Sequence, residues 1–431
     1  MTRITLNEVV DPFGARVVVE VDEDGQTREA WFDLVGLPRV DGLLVGQPVT
    51  SAPGVVERLC GICPAAHHLA GVRALDALGG LVVPPQAEAV RRLLHHGSVL
   101  EGHALRLASV DRDAAVLLRR VGKAAMAASG SPGHFPTTAV PGGVRGGVDP
   151  AAVATLAAQV PDAVAAARSV ADALTGASGA VDDGFAGPDV ALVDADGRPD
   201  LLGERLRAVS ADATVLVDAA APDAWPRLVL EERPGAPASR PYLAVLGPGA
   251  GFYRVGPVAQ LRVGAPRTPL AAELRERWLA TDGGARAARA VVTLHAAEVV
   301  GEILAALRGR ASRQPGPKDA PDVAFVPGPR GSRVGTGWVD GPRGLLVHTY
   351  TADAEGLLTS ARIVTPTAQN EPWLARLLTA AAAVPDADRA ARLEDSIREA
   401  DPCLPVSSAP PGGMGLRVDV VGPDRGTQEV R

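Results

Sequence analysis

The chain has 431 residues, 46% hydrophobic but only 3% aromatic, with 43 basic against 50 acidic side chains and a net charge of −7. That is enough apolar material for a large core of Ala, Val and Leu, and the acidic balance without a basic stripe argues against nucleic acid as a partner. Three cysteines do not make a disulfide framework, and the N-terminus has no apolar leader.

In chain order, the first segments read as strands. The stretches "ITLNEVV" from residue 4, "ARVVVEVD" from 15 and "TREAWFDL" from 27 alternate or run β-branched, and "DEDGQ" between the last two predicts a hairpin turn. Pro64 suits the first position of a helix, and Leu69, Val72, Leu75 and Leu78 recur at helical spacing up to Gly79 and Gly80. A longer helix is expected from about Gln86, with Val90, Leu93, Leu94, Leu100 and Leu107 on one face. A third, from 150 to 176, contains Pro161, which predicts a kink or break. From 188 to 262 the pattern turns to short strands: "VALVDADGR", "ATVLVDAAA", "RLVLEE" and "YLAVLG". Helix returns in "PLAAELRERWLA" and "ARAARAVVTLHAAEVVGEILAALRGR". A Pro-rich loop over 311–322 precedes a hairpin in "GLLVHTYTADAEGLLTSARIV", a helical pair covers 371–399, and "GLRVDVVG" is a last strand. Helices and strands are segregated, which predicts an α+β fold. No apolar run approaches the ~20 residues of a membrane span, so no span and a cytoplasmic location are expected.

The chemistry concentrates in "ERLCGICPAAHHLA", residues 57–70, which sets Cys60 and Cys63 in a Cys-x-x-Cys with His67 four residues on. The pair stands just before a helix start, where the dipole and free N–H groups favour thiolate, and thiolates bind soft metals. Two buried small residues would be the plain alternative. The remaining cysteine, Cys403, follows Asp401 and Pro402 near the far end. A zinc ribbon would need a second pair, which is missing. His95 and His96 read as packing or surface residues on a helix, and His103 as structural. "GGVRGGV" has no following Gly-Lys-Ser/Thr and is turn chemistry, so no nucleotide cofactor is evident.

"ERLCGICPAAHH" resembles the first signature of the nickel–iron hydrogenase large subunit, Arg-x-Cys-Gly-x-Cys-x-x-x-His, at Arg58, Cys60, Gly61, Cys63 and His67. The likeness continues in order. "LPRVDGLLVGQPV" is similar to the preceding segment, with Asp41 where the family has a metal-binding Glu. "HFPTTAVPGGV", "GFYRVGPVAQLRV", "GWVDGPRGLLVH", "IVTPTAQN" and "IREADPCLPV" resemble later family segments, the last its Asp-Pro-Cys-x-x-Cys. The Tyr-Arg-Val-Gly-Pro stretch is typical of the cytoplasmic branch. The resemblance implies one large-subunit-like domain over 1–431, helix-rich, with a central helical bundle and peripheral antiparallel sheets or hairpins. Its parts would be a β-rich segment to 56, a helical part 57–180, a β-rich insertion 181–265, helices with a hairpin 266–400, and a cysteine segment with an extension 401–431. It also implies a nickel–iron centre on Cys60, Cys63 and Cys403, with His67 orienting a thiolate, Arg343 beside the diatomic ligands of iron, and magnesium nearby. The partner would be an Fe–S small subunit in a heterodimer.

This sequence departs from the family pattern at several of those positions. The fourth thiolate should fall at 406, where the chain has Val406, and the family's following His is Ala409. Phe13 stands where the family has a proton-relaying Glu, and Asp340 and Gly341 replace Glu-Ala before Pro-Arg-Gly. Val406 has no donor atom and Phe13 no titratable group. Ser407 or Ser408 could offer an oxygen, a poor donor for nickel. Three readings follow: a redox subunit with a three-cysteine remnant and little or no hydrogen turnover; a non-catalytic assembly subunit, as in the quinone-site subunit of respiratory complex I; or a plain zinc or Fe–S site on three thiolates.

Overall fold

The computed structural model describes residues 16–34, 41–58, 60–176, 184–236, 238–281, 283–308, 333–384, 386–423 and 427–430. The strand expected at residue 4, the Pro-rich loop and Phe13 lie outside the described residues.

Helix α1 (Pro64–Gly79) begins at the expected proline and ends at Gly80, whose φ of 61° closes the helix in the left-handed conformation. It is buried on several sides at once, from Ala65 to Leu78. The longer helix is α2 (Pro85–Leu107), and its predicted apolar face is buried. It packs on α3 (Arg112–Ala128), crossing where Gly97 meets Gly122; a Cβ on either would fall within 2.8 Å of the other's carbonyl oxygen. α4 (Pro150–Thr175) runs unbroken through Pro161. The break does not form because the proline is on the exposed face, where water can serve the carbonyl it frees, while Ala163, Ala167, Val170 and Ala171 are locked against the core. After α5 (Pro257–Val263) and α6 (Pro269–Ala280) comes α7 (Ala285–Arg308), which packs on both α2 and α4 and completes the helical bundle. α4 and α7 are long and apolar enough to cross a membrane by length and composition, unlike the expectation that no segment comes close. In α7 that apolarity is core packing, with residues from Ala285 to Leu307 buried.

The sheets lie around this bundle. β1 (Arg16–Val21) and β2 (Thr27–Phe32) form the expected hairpin. Three further strands, β3 (Asp189–Val193), β4 (Arg205–Val209) and β5 (Val215–Ala220), make an antiparallel sheet in the 181–265 stretch. β6 (Arg333–Gly341), β7 (Gly344–Ala352) and β8 (Leu358–Val364) form another, laid against α1. There the backbones nearly touch: a methyl at Gly337 would overlap Ala74 N and Ala70 O. α8 (Pro366–Ala382) packs on β2 and on α9 (Asp386–Ala400).

The last strand, β9 (Arg417–Val421), pairs in parallel with β1, Val17 opposite Val418 and Val19 opposite Val420, and β10 (Thr427–Val430) extends that sheet. Among the described strands, the peripheral sheets are antiparallel except where β9 meets β1. One hydrophobic cluster draws on both ends of the chain, from Val17 to Met414. The fold is α+β and helix-rich, as expected.

Candidate metal centre

Three elements bring the cysteines together. Cys63 is the residue before α1 and Cys60 lies three residues upstream, in the loop after the short helix Ala52–Val56. Cys403 comes from the turn after α9. Cys60 and Cys403 sulfurs are 3.2 Å apart, Cys63 and Cys60 3.3 Å, and Cys63 and Cys403 3.3 Å. Among the described residues, this is the group of Cys, His, Asp or Glu side chains whose donor atoms lie close enough to share an ion.

Three sulfurs so close shift one another's titration in opposite directions. S–H groups of Cys403 and Cys63 favour the thiolate on Cys60 and lower it well below the ordinary thiol range, with His67 adding to this. Hydrogen bonding to Cys403 and then to Cys60 raises Cys63, and hydrogen bonding to Cys60 pushes Cys403 up to about 12. Arg343 supplies the nearest compensating charge; burial works against it, but Asp401 and the three sulfurs keep it protonated.

Each loop is held from outside. His134 donates from Nε2 to the Gly61 carbonyl at 2.7 Å, and the Arg58 guanidinium lies 5.7 Å from the centre of the Phe135 ring, so the "HFPTT" loop clasps the Cys-x-x-Cys. Glu57 is buried against His68, 3.1 Å from its Nδ1, and His68 Nε2 accepts from Ala139 N. His67 Nδ1 meets His348 Nε2 at 3.1 Å, and His348 Nδ1 meets the Tyr350 hydroxyl at 2.7 Å. Burial, then His67, holds His348 neutral. His67 thus connects Cys60 to a buried line of polar side chains on β7.

On the Cys403 side, Asp401 ends α9 with a left-handed φ of 46°, a strained state for a residue with a side chain. Its carboxylate lies 2.7 Å from Arg106, 3.6 Å from Arg343 and 3.6 Å from Arg289. Burial opposes its charge, but the three arginines outweigh burial and hold it well below the usual carboxylate range. Cys403 N donates to Thr367 Oγ1 at 2.8 Å. Arg343 sits in the two-residue turn between β6 and β7, closed by the Gly341–Gly344 pair. His103 ties that turn to the bundle, with Nε2 donating to the Pro342 carbonyl at 2.7 Å and Nδ1 accepting from Thr293 Oγ1 at 3.0 Å.

The other sequence candidates fall as follows. Ser407 Oγ is enclosed by Asp401, the carbonyls of Pro402 and Leu404, and Arg106, so it is committed as a brace and is not free to bind a metal. Ser408 lines a cavity of about 390 Å³ together with Cys63 and Arg343. Asp41 is buried on the 3-10 turn Asp41–Leu44 and is not part of the three-sulfur group. His95 and His96 are packing residues, bonded to the carbonyls of Asp340 and Arg92. The Val406 side chain lies outside the described residues. Sequence reasoning missed Arg106, Arg289, His134 and the Glu57–His68 pair. Glu57, His68 and His134, like His348, lay inside quoted segments without being singled out; Arg289 carried no signal, since nothing in its helix points to residue 401.

A helical bundle that joins two ends of one chain at a three-cysteine cluster is an arrangement able to hold a soft metal ion. The comparisons narrow this. A sequence profile described as nickel-dependent hydrogenase matches residues 40–110. The vhu subunit of the F420-non-reducing hydrogenase of Methanococcus voltae is 28% identical over 86% of this chain and 95% of its own length. The NAD-reducing hydrogenase HoxS subunit beta of Cupriavidus necator is 28% identical over 96% of each chain. A crystal structure of NAD+-reducing nickel–iron hydrogenase in the H2-reduced state superposes with a TM-score of 0.76 at 29% identity, covering 89% of this chain and 94% of that one. Over most of its length and in its fold, the chain is similar to nickel-dependent hydrogenase large subunits.

Proposed function

We propose that this protein is a redox-complex subunit in which three cysteines remain of the family's nickel–iron site, with little or no hydrogen turnover. The observation that carries this reading is the donor set. Three sulfurs converge, no fourth Cys, His, Asp or Glu donor joins them among the described residues, and the sequence has Val406 where the fourth thiolate would be.

The residues fit one metal better than two. Thiolates 2.3 Å from a tetrahedral metal lie about 3.8 Å apart, so each sulfur would move outward by only about 0.3 Å. A pair of metals sharing two bridging thiolates, with two further thiolates on nickel alone, needs four. The hydrogen chemistry of such a pair also needs a proton acceptor, and Phe13 offers none. Arg343, charged and beside the sulfurs, would balance the thiolates of a single bound ion, and His67 would orient Cys60. Asp41 is the oxygen donor this reading assigns to the family's accessory magnesium position, with Ala409 leaving that position short of a ligand.

The relatives are named as subunits, and three cysteines are too few for this chain to carry its own Fe–S clusters. A heterodimer with an Fe–S small subunit in the cytoplasm follows, docked on the face nearest the Cys60 loop. Native mass measurement on protein from its own host is expected to show that complex; a monomer with no Fe–S protein alongside contradicts it. Elemental analysis with infrared spectroscopy of the same sample tests the metal reading. The expected result is at most one metal ion per chain and no carbonyl or cyanide stretches. Stoichiometric nickel and iron with those bands would overturn it.

A further inference from the structure

The cavity beside Cys63 has a chemistry of its own. It measures about 390 Å³, and the buried Arg343, the half-buried Cys63 and the exposed Ser408 are among the residues that line it. Arg119, Lys123 and Glu101 also line it. Glu101 is shared at long range by Arg119 (3.8 Å) and Lys123 (3.7 Å), so the lining carries three cations against one carboxylate. Arg343 is 6% exposed, yet its Nη1 has no hydrogen-bond acceptor, and its Nε has a carboxylate oxygen no nearer than 3.6 Å. A buried guanidinium with unused donors is costly unless an acceptor completes it. The cavity also adjoins a second of about 240 Å³ that shares Glu101 and Lys123. An uncharged diatomic gas has no need of a cationic passage of this size.

We propose that the thiolate cluster holds a single metal ion whose remaining coordination position takes a small, exchangeable anion that enters through this cavity. The inference rests on the three-thiolate reading above. Cys60, Cys63 and Cys403 supply three donors and leave a four-coordinate ion one position short, the arrangement of sites that bind an external ligand. The ligand's charge is set by the lining: a negative one satisfies Arg343 and is concentrated by Arg119 and Lys123, an effect of about tenfold or more for a cleft lined by one sign of charge. Binding is ligand exchange at the metal, water leaving as the anion enters, with no change of oxidation state.

The experiment uses the full-length chain loaded with Co2+, whose visible bands report both sulfur ligation and coordination number. Sodium azide is the probe. The expected result is intense sulfur-to-cobalt charge transfer, a saturable change in the d–d bands on adding azide, and an azide affinity about tenfold or more lower in the Arg119→Glu/Lys123→Glu double variant. Sulfur-to-cobalt bands that do not respond to azide would overturn the anion site while leaving the three-thiolate reading in place. An azide response that the double variant leaves unchanged overturns the role of the cationic passage. Absence of sulfur-to-cobalt bands overturns the three-thiolate reading and this inference with it.

Discussion

Cys60 and Cys403 are 343 residues apart in sequence, yet their sulfurs stand 3.2 Å from one another. Local propensity cannot produce such a contact. It requires the helical bundle to bring the start of α1 and the end of α9 to one place, so the cluster forms only when most of the fold has. Cys403→Ser is accordingly expected to lower metal affinity by on the order of tenfold or more while leaving the thermal transition of the metal-free protein nearly unchanged. Competition with a chelating dye measures the first, and scanning calorimetry the second.

Position 406 offers the complementary change. Val406→Cys restores the Cys-x-x-Cys spacing after Asp401-Pro402, and a fourth thiolate is expected to raise nickel affinity by on the order of tenfold or more. Isothermal titration with Ni2+ checks this. An unchanged affinity would mean that the loop after Cys403 does not reach the cluster.

Asp401 anchors that loop. Asp401→Asn leaves Arg106, Arg289 and Arg343 without their shared carboxylate and is expected to cost about 3–5 kcal/mol in chemical denaturation. The loss should be accompanied by weaker metal binding, since the same residue sets the direction of Cys403. A variant with native stability and full metal affinity would show that the arginines serve something else.

Asp340, in the place of a family Glu, gives a pH dependence. Burial pushes its carboxyl up to about 7, outweighing the hydrogen bonds it receives from Leu192 N, at 2.9 Å, and from the Gln260 side chain. The folded protein therefore holds a proton that the unfolded chain releases near the ordinary carboxylate value. That contribution is fully present below about pH 4, declines as pH rises, and is lost above about 7. Urea denaturation between pH 4 and 8 should show the decline, on the order of a few kcal/mol. Asp340→Asn, which cannot ionise, should flatten it; an unchanged slope in that variant would assign the dependence to other groups.

The far C-terminus is built into the sheet. β9 pairs with β1, Arg16 joins Asp33 to the buried Asp419, and Glu394 accepts from the backbone N–H groups of Gly412 and Met414. In the family as the resemblance describes it, a protease removes the extension after the fourth cysteine and its His; here those residues are Val406 and Ala409. The natively expressed chain is expected to keep Arg431 by intact mass, and deletion of residues 411–431 to cost on the order of several kcal/mol through the loss of Met414, Val418 and Val420 from the core. A mass ending near Ala409 would show that processing persists.

Much of this was legible beforehand, for definite reasons. α1, α2 and the β1–β2 hairpin follow from apolar spacing with Pro64, Gly80 and Gly25 as punctuation, and local signals of that kind survive folding. α4 did not break at Pro161 because packing on α7 and α3 outweighs a proline on the exposed face. α3 was unread although its signals are in the sequence: Asp111 caps its N-terminus, and Ala114, Ala115, Leu118, Val121, Ala125 and Met126 recur on one buried face. The cysteine cluster could be assembled only by resemblance, because spacing along the chain does not report on contacts 343 residues apart. Arg106 and Arg289, which join Arg343 around Asp401, were out of reach for the same reason: a buried ion-pair network is defined by elements distant in sequence.

The most direct measurement is hydrogen-dependent dye reduction by the complex purified from its own host. With one thiolate position filled by valine and the relay position by phenylalanine, no turnover above background is expected. A rate typical of enzymes, on the order of 1–1000 per second, would contradict the account.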